Sequence, residues 1–166
     1  TFFYHIFLAL FYFGTCVASL FDEKIRKFLI GRKGIFGTLK ADLKNKNVIW
    51  FHAASLGEFE QGRPVIEEIK RRDKNVTILL TFFSPSGYEI RKNYAGADVV
   101  VYLPFDFTWM ARKFVRLANP KADFLSNMSF GTTILINCTK KTYQLIVFHP
   151  YSGLSKCFSN GMVVGT

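Results

Sequence analysis

Between residues 47 and 124 short apolar runs alternate with amphipathic stretches, and few folds accept that alternation. "NVIWFHA" (47–53), "VTILLTFF" (76–83) and "ADVVVYLP" (97–104) read as strands, and "KADFL" (121–125) opens a fourth. The second run is continuously β-branched and aromatic, as expected of a strand covered on both faces. "EFEQGRPVIEEIKRR" (58–72) reads as a helix with Phe59, Val65, Ile66 and Ile69 on its apolar side, bent or delayed by Pro64. "SPSG" (84–87) reads as a turn, "YEIRKNY" (88–94) as a short helix and "FTWMARKFVRLANP" (107–120) as a third helix. Strands linked by helices at this spacing pair in parallel through right-handed crossovers, which predicts an α/β, Rossmann-like parallel sheet. Ligands of such sheets sit at the carboxyl ends of the strands. The turns "AASLGE", "FSPSG" and "LPFDF" all fall on that edge.

Ahead of this region, the first 21 residues, "TFFYHIFLALFYFGTCVASLF", carry no charge, and His5 is their one strongly polar side chain. That length is about what the hydrocarbon core of a bilayer requires. From Asp22 to Lys46 come eight basic residues against three acids. The positive-inside rule keeps the chain beyond the apolar run on the cytoplasmic side. The same pattern suits a helix lying on an anionic membrane surface. Residues 1–30 are therefore expected to form a membrane-anchor helix, spanning or interfacial. A cleaved signal peptide fits less well, because its apolar core is shorter and basic residues precede it. A buried core helix is the plain alternative, although 21 uncharged residues exceed the usual length of one.

The chain does not begin with Met and reads as a fragment. Its net charge of +10 calls for an acidic partner: nucleic acid, anionic lipid or a phosphorylated substrate. Cys16, Cys138 and Cys157 show no metal-ligand spacing and no CxxC, which points to a reducing compartment without a disulfide framework.

The stretch "HAASLGE" (52–58) carries the sharpest chemical question. Ala53, Ala54 and Gly57 let a ligand approach the backbone closely. The amides of residues 55–58 open a helix, where partial positive charge favours an anion. Glu58 either caps that dipole, as carboxylates in first turns commonly do, or faces the ligand edge and accepts a proton from a hydroxyl. Spacing alone leaves both readings open.

"WFHAASLGEFEQGRPVIEEIK", "ILLTFFSPSGYEIRKNY" and "ADVVVYLPFD", in this order and spacing, resemble the N-terminal half of the bacterial 3-deoxy-D-manno-octulosonic acid (Kdo) transferases of lipopolysaccharide synthesis. The resemblance covers roughly residues 31–124, and the apolar N-terminus is similar in kind to that family's membrane anchor. It implies a GT-B architecture of two Rossmann-like domains, of which residues 31–124 form the acceptor-binding, N-terminal one. The acceptor it implies is a lipid A precursor bearing anionic phosphates, and the donor is CMP-Kdo, held by a C-terminal domain missing from this fragment. Glu58 matches the glutamate of the family's "SLGE" motif, the general base that deprotonates the acceptor hydroxyl for an inverting attack on the anomeric carbon of Kdo. No metal or cofactor is expected, nor nucleic acid. The place implied is the cytoplasmic face of the bacterial inner membrane.

Around Glu58, Ser55 and Gly57 are candidate acceptor contacts. Ser84, Ser86 and Gly87 sit in the second ligand-edge turn, where contact with sugar or phosphate and simple helix capping are equally good readings. Arg63 either meets a phosphate or pairs with a carboxylate such as Glu67. Asp106 is expected to cap the next helix, and His52 to be a core or supporting histidine. A non-catalytic, membrane-anchored lipid-binding module is the alternative function. An ordinary nucleotide-binding Rossmann domain is disfavoured because no GxGxxG stands after any strand.

From residue 125 to 166 there is not one Asp or Glu, while all 12 acids precede, and no helical or strand register is evident. Ser126 to Gly131, written TCA AAT ATG AGT TTT GGA and read from the last base of the first codon, spells Lys-Tyr-Glu-Phe-Trp. That resembles the family segment carrying a second functional glutamate. In the same frame "FHPYSG" re-reads as Ser-Ser-Ile-Phe-Arg. Residues 125–166 are therefore expected to be a frameshifted, non-native tail, and the fragment to be inactive alone. An uninterrupted frame in the authentic DNA would exclude this.

Overall fold

The computed structural model of the chain describes residues 2–126, 144–149, 153–159 and 162–164. Three helices lead: α1 (Phe2–Ala18), α2 (Glu23–Ile30) and α3 (Ile35–Asp42). The alternating region comes next as β1 (Val48–Ala53), α4 (Leu56–Arg72), β2 (Thr77–Phe82), α5 (Pro85–Arg91), β3 (Val99–Tyr102), α6 (Thr108–Ala118) and β4 (Ala122–Ser126). Beyond it lie β5 (Gln144–His149), β6 (Gly153–Ser159) and β7 (Met162–Val164).

One sheet holds all seven strands in the order β3-β2-β1-β4-β5-β6-β7. The pairs from β3 through β5 are parallel, and β6 and β7 add antiparallel. The α/β class and the parallel pairing thus agree with the sequence. Succession runs outward from β1 to β3, then returns to β4 on the other side of β1. This reversal creates a switch point between β1 and β4, where a crevice opens at the carboxyl ends.

Both faces are covered. Leu39 of α3 and Ala111, Phe114 and Val115 of α6 pack on Trp50, Leu79 and Val101. Phe59 and Ile66 of α4 pack on Phe51, Ile78, Leu80 and Phe82. Every residue of β2 is consequently buried, which is why that strand has no polar alternation. Burial of each large side chain here is worth about 1.5–3 kcal/mol.

Several local expectations need correction. The anchor is not one helix over 1–30. The chain turns at residues 19–22, and the Asp22 carboxylate accepts the amides of Lys24 and Ile25 to start α2. Among the described residues no helix is long and apolar enough to cross a membrane. The 17 residues of α1 rise only about 25 Å. "SPSG" is not a free turn, because Pro85 takes the first position of α5, where its missing N–H costs nothing. α4 runs unbroken through Pro64. Strands also appear at 144–149, 153–159 and 162–164, where the sequence shows no clear register. "QLIVFH" is the apolar run that supplies the first, paired in parallel with β4. Residues 127–131, on which the re-read glutamate falls, lie outside the described residues, as does most of the remaining tail.

Candidate active site at the carboxyl edge of the sheet

Three loops meet at the carboxyl ends of β1, β2 and β3. Backbone bonds tie them: Phe83 N–H to Ala53 O at 3.3 Å, Ser84 N–H to Ala54 O at 3.1 Å, and Leu103 N–H to Phe82 O at 2.8 Å. The turns carrying Ser55, Gly57 and Glu58 and those carrying Ser84, Ser86 and Gly87 are therefore neighbours, although 29 residues separate Ser55 from Ser84.

Ser55 is the N-cap of α4, in an extended conformation, and its hydroxyl accepts from Glu58 N–H at 3.4 Å. In return the half-buried Glu58 reaches back, and its Oε2 accepts Ala54 N–H at 2.6 Å. This is close to a capping box, shifted one residue toward β1. It fixes the Glu58 rotamer and occupies one carboxylate oxygen. Gly57 is exposed, and a Cβ there would meet open space.

Ser84 caps α5, accepting from Gly87 N–H at 3.4 Å, and shares a 2.9 Å hydroxyl contact with the Ser86 hydroxyl. Gly87 is buried, and a Cβ at this position would overlap the Phe82 ring. Its smallness serves helix-on-strand packing. Gly87→Ala is expected to cost about 1–3 kcal/mol, the usual penalty of overpacking, read as a lowered urea midpoint at unchanged slope.

Arg63 sits eight residues along α4 from its cap, roughly 12 Å from the edge. It is held at 3.1 Å from Glu60 and 3.6 Å from Glu67. The structure does not bring it to the loops that hold Glu58.

His52 lies near the end of β1 on the α6 face, buried, with Nδ1 3.0 Å from the Thr81 hydroxyl, which also accepts Trp50 Nε1–H at 2.8 Å. Burial pushes its pKa down to about 4, and the Arg32 charge adds to the effect. The unfolded histidine takes up its proton first as pH falls. Stability present above pH 6.5 is thus lost between about 6.5 and 4, by at most about 3 kcal/mol. Urea unfolding at pH 7 and pH 4 should show this step, and His52→Gln should remove it.

Asp106 does not cap α6, whose N-cap is Phe107 without a side-chain bond. Its buried carboxylate instead accepts the Tyr4 hydroxyl of α1 at 2.6 Å. The cap reading failed because Tyr4 lies 102 residues away, beyond any local pattern.

Sequence reasoning missed Arg32, which it counted only among the basic flank. Its side chain is buried at the sheet edge. Nε donates to Leu103 O at 2.9 Å, Nη1 to Phe28 O at 2.7 Å and Nη2 to Phe83 O at 2.8 Å. The guanidinium lies 3.7 Å above the Phe28 ring, with Tyr102 and Phe105 also within cation–π range. Burial lowers its pKa to about 9. Gly31 beside it packs where a Cβ would overlap Tyr102. Arg32 thereby joins α2 to the ends of β2 and β3, one end of the edge that carries Glu58.

A family model described as 3-deoxy-D-manno-octulosonic-acid transferase (kdotransferase) matches residues 31–149. The chain is 36% identical over 99 residues to the 3-deoxy-D-manno-octulosonic acid transferase of Aquifex aeolicus, covering 58% of this chain and 27% of that protein. It is 30% identical over 104 residues to the enzyme of the same name from Haemophilus influenzae, covering 62% and 24%. A probable mitochondrial 3-deoxy-D-manno-octulosonic acid transferase of Arabidopsis thaliana is 33% identical over 88 residues, covering 52% and 20%. The chain thus spans about a quarter of the length of the curated relatives it matches.

Proposed function

The chain belongs to the 3-deoxy-D-manno-octulosonic-acid transferase family, and from that premise we propose that it forms the acceptor half of a GT-B glycosyltransferase moving Kdo from CMP-Kdo to a lipid A precursor. The observation that carries this reading is the position of Glu58. It stands in the first turn of α4, directly after β1, beside the β1–β4 switch point. The hydrogen bond from Ala54 N–H holds Oε2 in place. Oε1 is then the oxygen that takes the acceptor proton as the hydroxyl attacks the anomeric carbon with inversion and CMP leaves. Amides at the α4 N-terminus place favourable partial positive charge beside the carboxylate. Gly57 leaves open space next to it for a sugar. Ser84 and Ser86, one loop away, offer hydroxyls to the acceptor.

The donor is assigned to the second domain of the two-domain architecture. The exposed apolar residues of α1 support an interfacial position at the cytoplasmic face of the inner membrane.

One observation favours the second reading, a membrane-anchored lipid-binding module without transfer: Glu58 already has a structural task at the helix start. Incubating the full-length protein with CMP-Kdo and a lipid A precursor, and tracking Kdo addition by mass, separates the two. Added Kdo supports transfer, and acceptor binding without any mass increase favours the module.

A further inference from the structure

Arg91 closes α5 and reaches across to α4, where its Nη2 donates to Glu60 Oε1 at 2.5 Å. The other Glu60 oxygen lies 3.1 Å from Arg63 Nη1, so an arginine from each helix grips the same carboxylate. The Arg91 guanidinium also stands 5.5 Å over the Phe59 ring. Glu60 lies about 200° around α4 from Glu58, so Arg91 is held away from the proposed base. At its other end α5 carries Ser84 as N-cap and Ser86 in its first turn. Gly87 against Phe82, and Tyr88 on Tyr102 with ring centroids 4.1 Å apart, hold this helix on the sheet. Those contacts are apolar and non-directional, and leave its roll about its own axis loosely set. A charge-assisted hydrogen bond is directional and fixes that roll. A roll of about 10° moves a side-chain tip, about 6 Å from a helix axis, by about 1 Å.

We propose that Arg91 is a positioning residue of this edge: by holding Glu60 it sets the roll of α5, and with it the places of the Ser84 and Ser86 hydroxyls that meet the acceptor. The inference rests on the reading of that edge as an acceptor site. The pair adds little to stability, because its side chains are exposed by 32% and 35%, and pairs this open to water stabilise a fold only slightly. Geometry is where it counts, since a displacement of about 1 Å in a bound reactant can cost about 10²-fold in rate.

The full-length protein is compared with Arg91→Ala, Arg91→Lys, Lys92→Ala, and Arg91→Ala added to Ser84→Ala with Ser86→Ala. Affinity for a lipid A precursor is measured without donor, Kdo addition with CMP-Kdo, and thermal unfolding for each. Arg91→Ala should weaken acceptor binding about fivefold and lower kcat/KM for the acceptor about 10- to 100-fold. Its Tm should fall by less than about 4 °C. Arg91→Lys keeps a cation within reach of Glu60 and should recover most of both losses. Lys92→Ala removes the same charge one residue on and breaks a pair inside α5, with Glu89 at 2.9 Å. Affinity and transfer should then stay within about twofold. Once both serine hydroxyls are gone, Arg91→Ala should cost less than about a further twofold, because residues that act through one another are not additive. Losses undiminished in that background, equal losses from Lys92→Ala, or a Tm lowered by more than about 8 °C would each mean general support of the helix, and overturn the proposal. So would affinity and transfer unchanged in Arg91→Ala. If the unaltered protein binds the acceptor without adding Kdo, the transfer reading fails and the affinities alone decide this one. If it does not bind the acceptor, both fail.

Discussion

Glu58→Gln in the full-length protein should lower Kdo transfer by about 10²- to 10⁴-fold, the range a positioned general base supplies. The amide keeps an oxygen able to accept Ala54 N–H, so the hydrogen bond that Oε2 makes at 2.6 Å can survive. The substitution removes basicity and charge. Loss of the charge at the α4 N-terminus costs about 0.3–1 kcal/mol, and thermal unfolding should move by only a few degrees. Acceptor affinity, measured without donor, should stay within a few fold. If transfer instead persists within about tenfold, less than a general base contributes, Glu58 is a cap and the base lies elsewhere on the edge.

Arg32→Ala is expected to be the most damaging single substitution for the fold. It removes the donor to Leu103 O, Phe28 O and Phe83 O together, and a buried carbonyl left unpaired costs about 1–3 kcal/mol. It also empties the space beneath the Phe28 and Tyr102 rings. Relief of the desolvation that lowers the Arg32 pKa to about 9 returns part of this. The net expectation is a loss of roughly 4 kcal/mol, or a fall in Tm of roughly 8–16 °C at this chain length. Arg32→Lys should recover less than half, because one ammonium on a flexible stem does not reach three divergent carbonyls. Circular dichroism melts of the three proteins decide it. A fall under about 3 °C for Arg32→Ala would mean that relief of burial offsets the lost bonds, and that α2 is held by its apolar contacts alone.

The parallel sheet and its covering helices were legible because their signal is local. "VTILLTFF" is apolar on both sides of the chain, and only a strand buried on both faces uses such a run. "PVIEEIK" repeats at helical spacing, and the ligand edge could be placed from the alternation of elements. Capping was legible in type but not in detail. Capping by Ser84 was one of two readings of its turn, whereas Ser55 was read only as an acceptor contact although it caps α4, and the reach of Glu58 back to Ala54 depends on a rotamer. The strands at 144–149 and beyond were missed because turn punctuation around them is irregular.

By itself the sequence determined the α/β class, the family and the placing of Glu58 at the start of a helix after the first strand, since each rests on residues within a few positions of one another. Only the tertiary structure decided that α1 and α2 are two helices folded onto the sheet edge, that Asp106 serves Tyr4, and that Arg32 is buried. Those outcomes depend on pairs 71 and 102 residues apart. A basic side chain in a run of basic side chains gives no local sign of which one will turn inward. That choice belongs to the carbonyls of Phe28, Phe83 and Leu103 that converge at the ends of α2, β2 and β3, and they converge only once the sheet has formed.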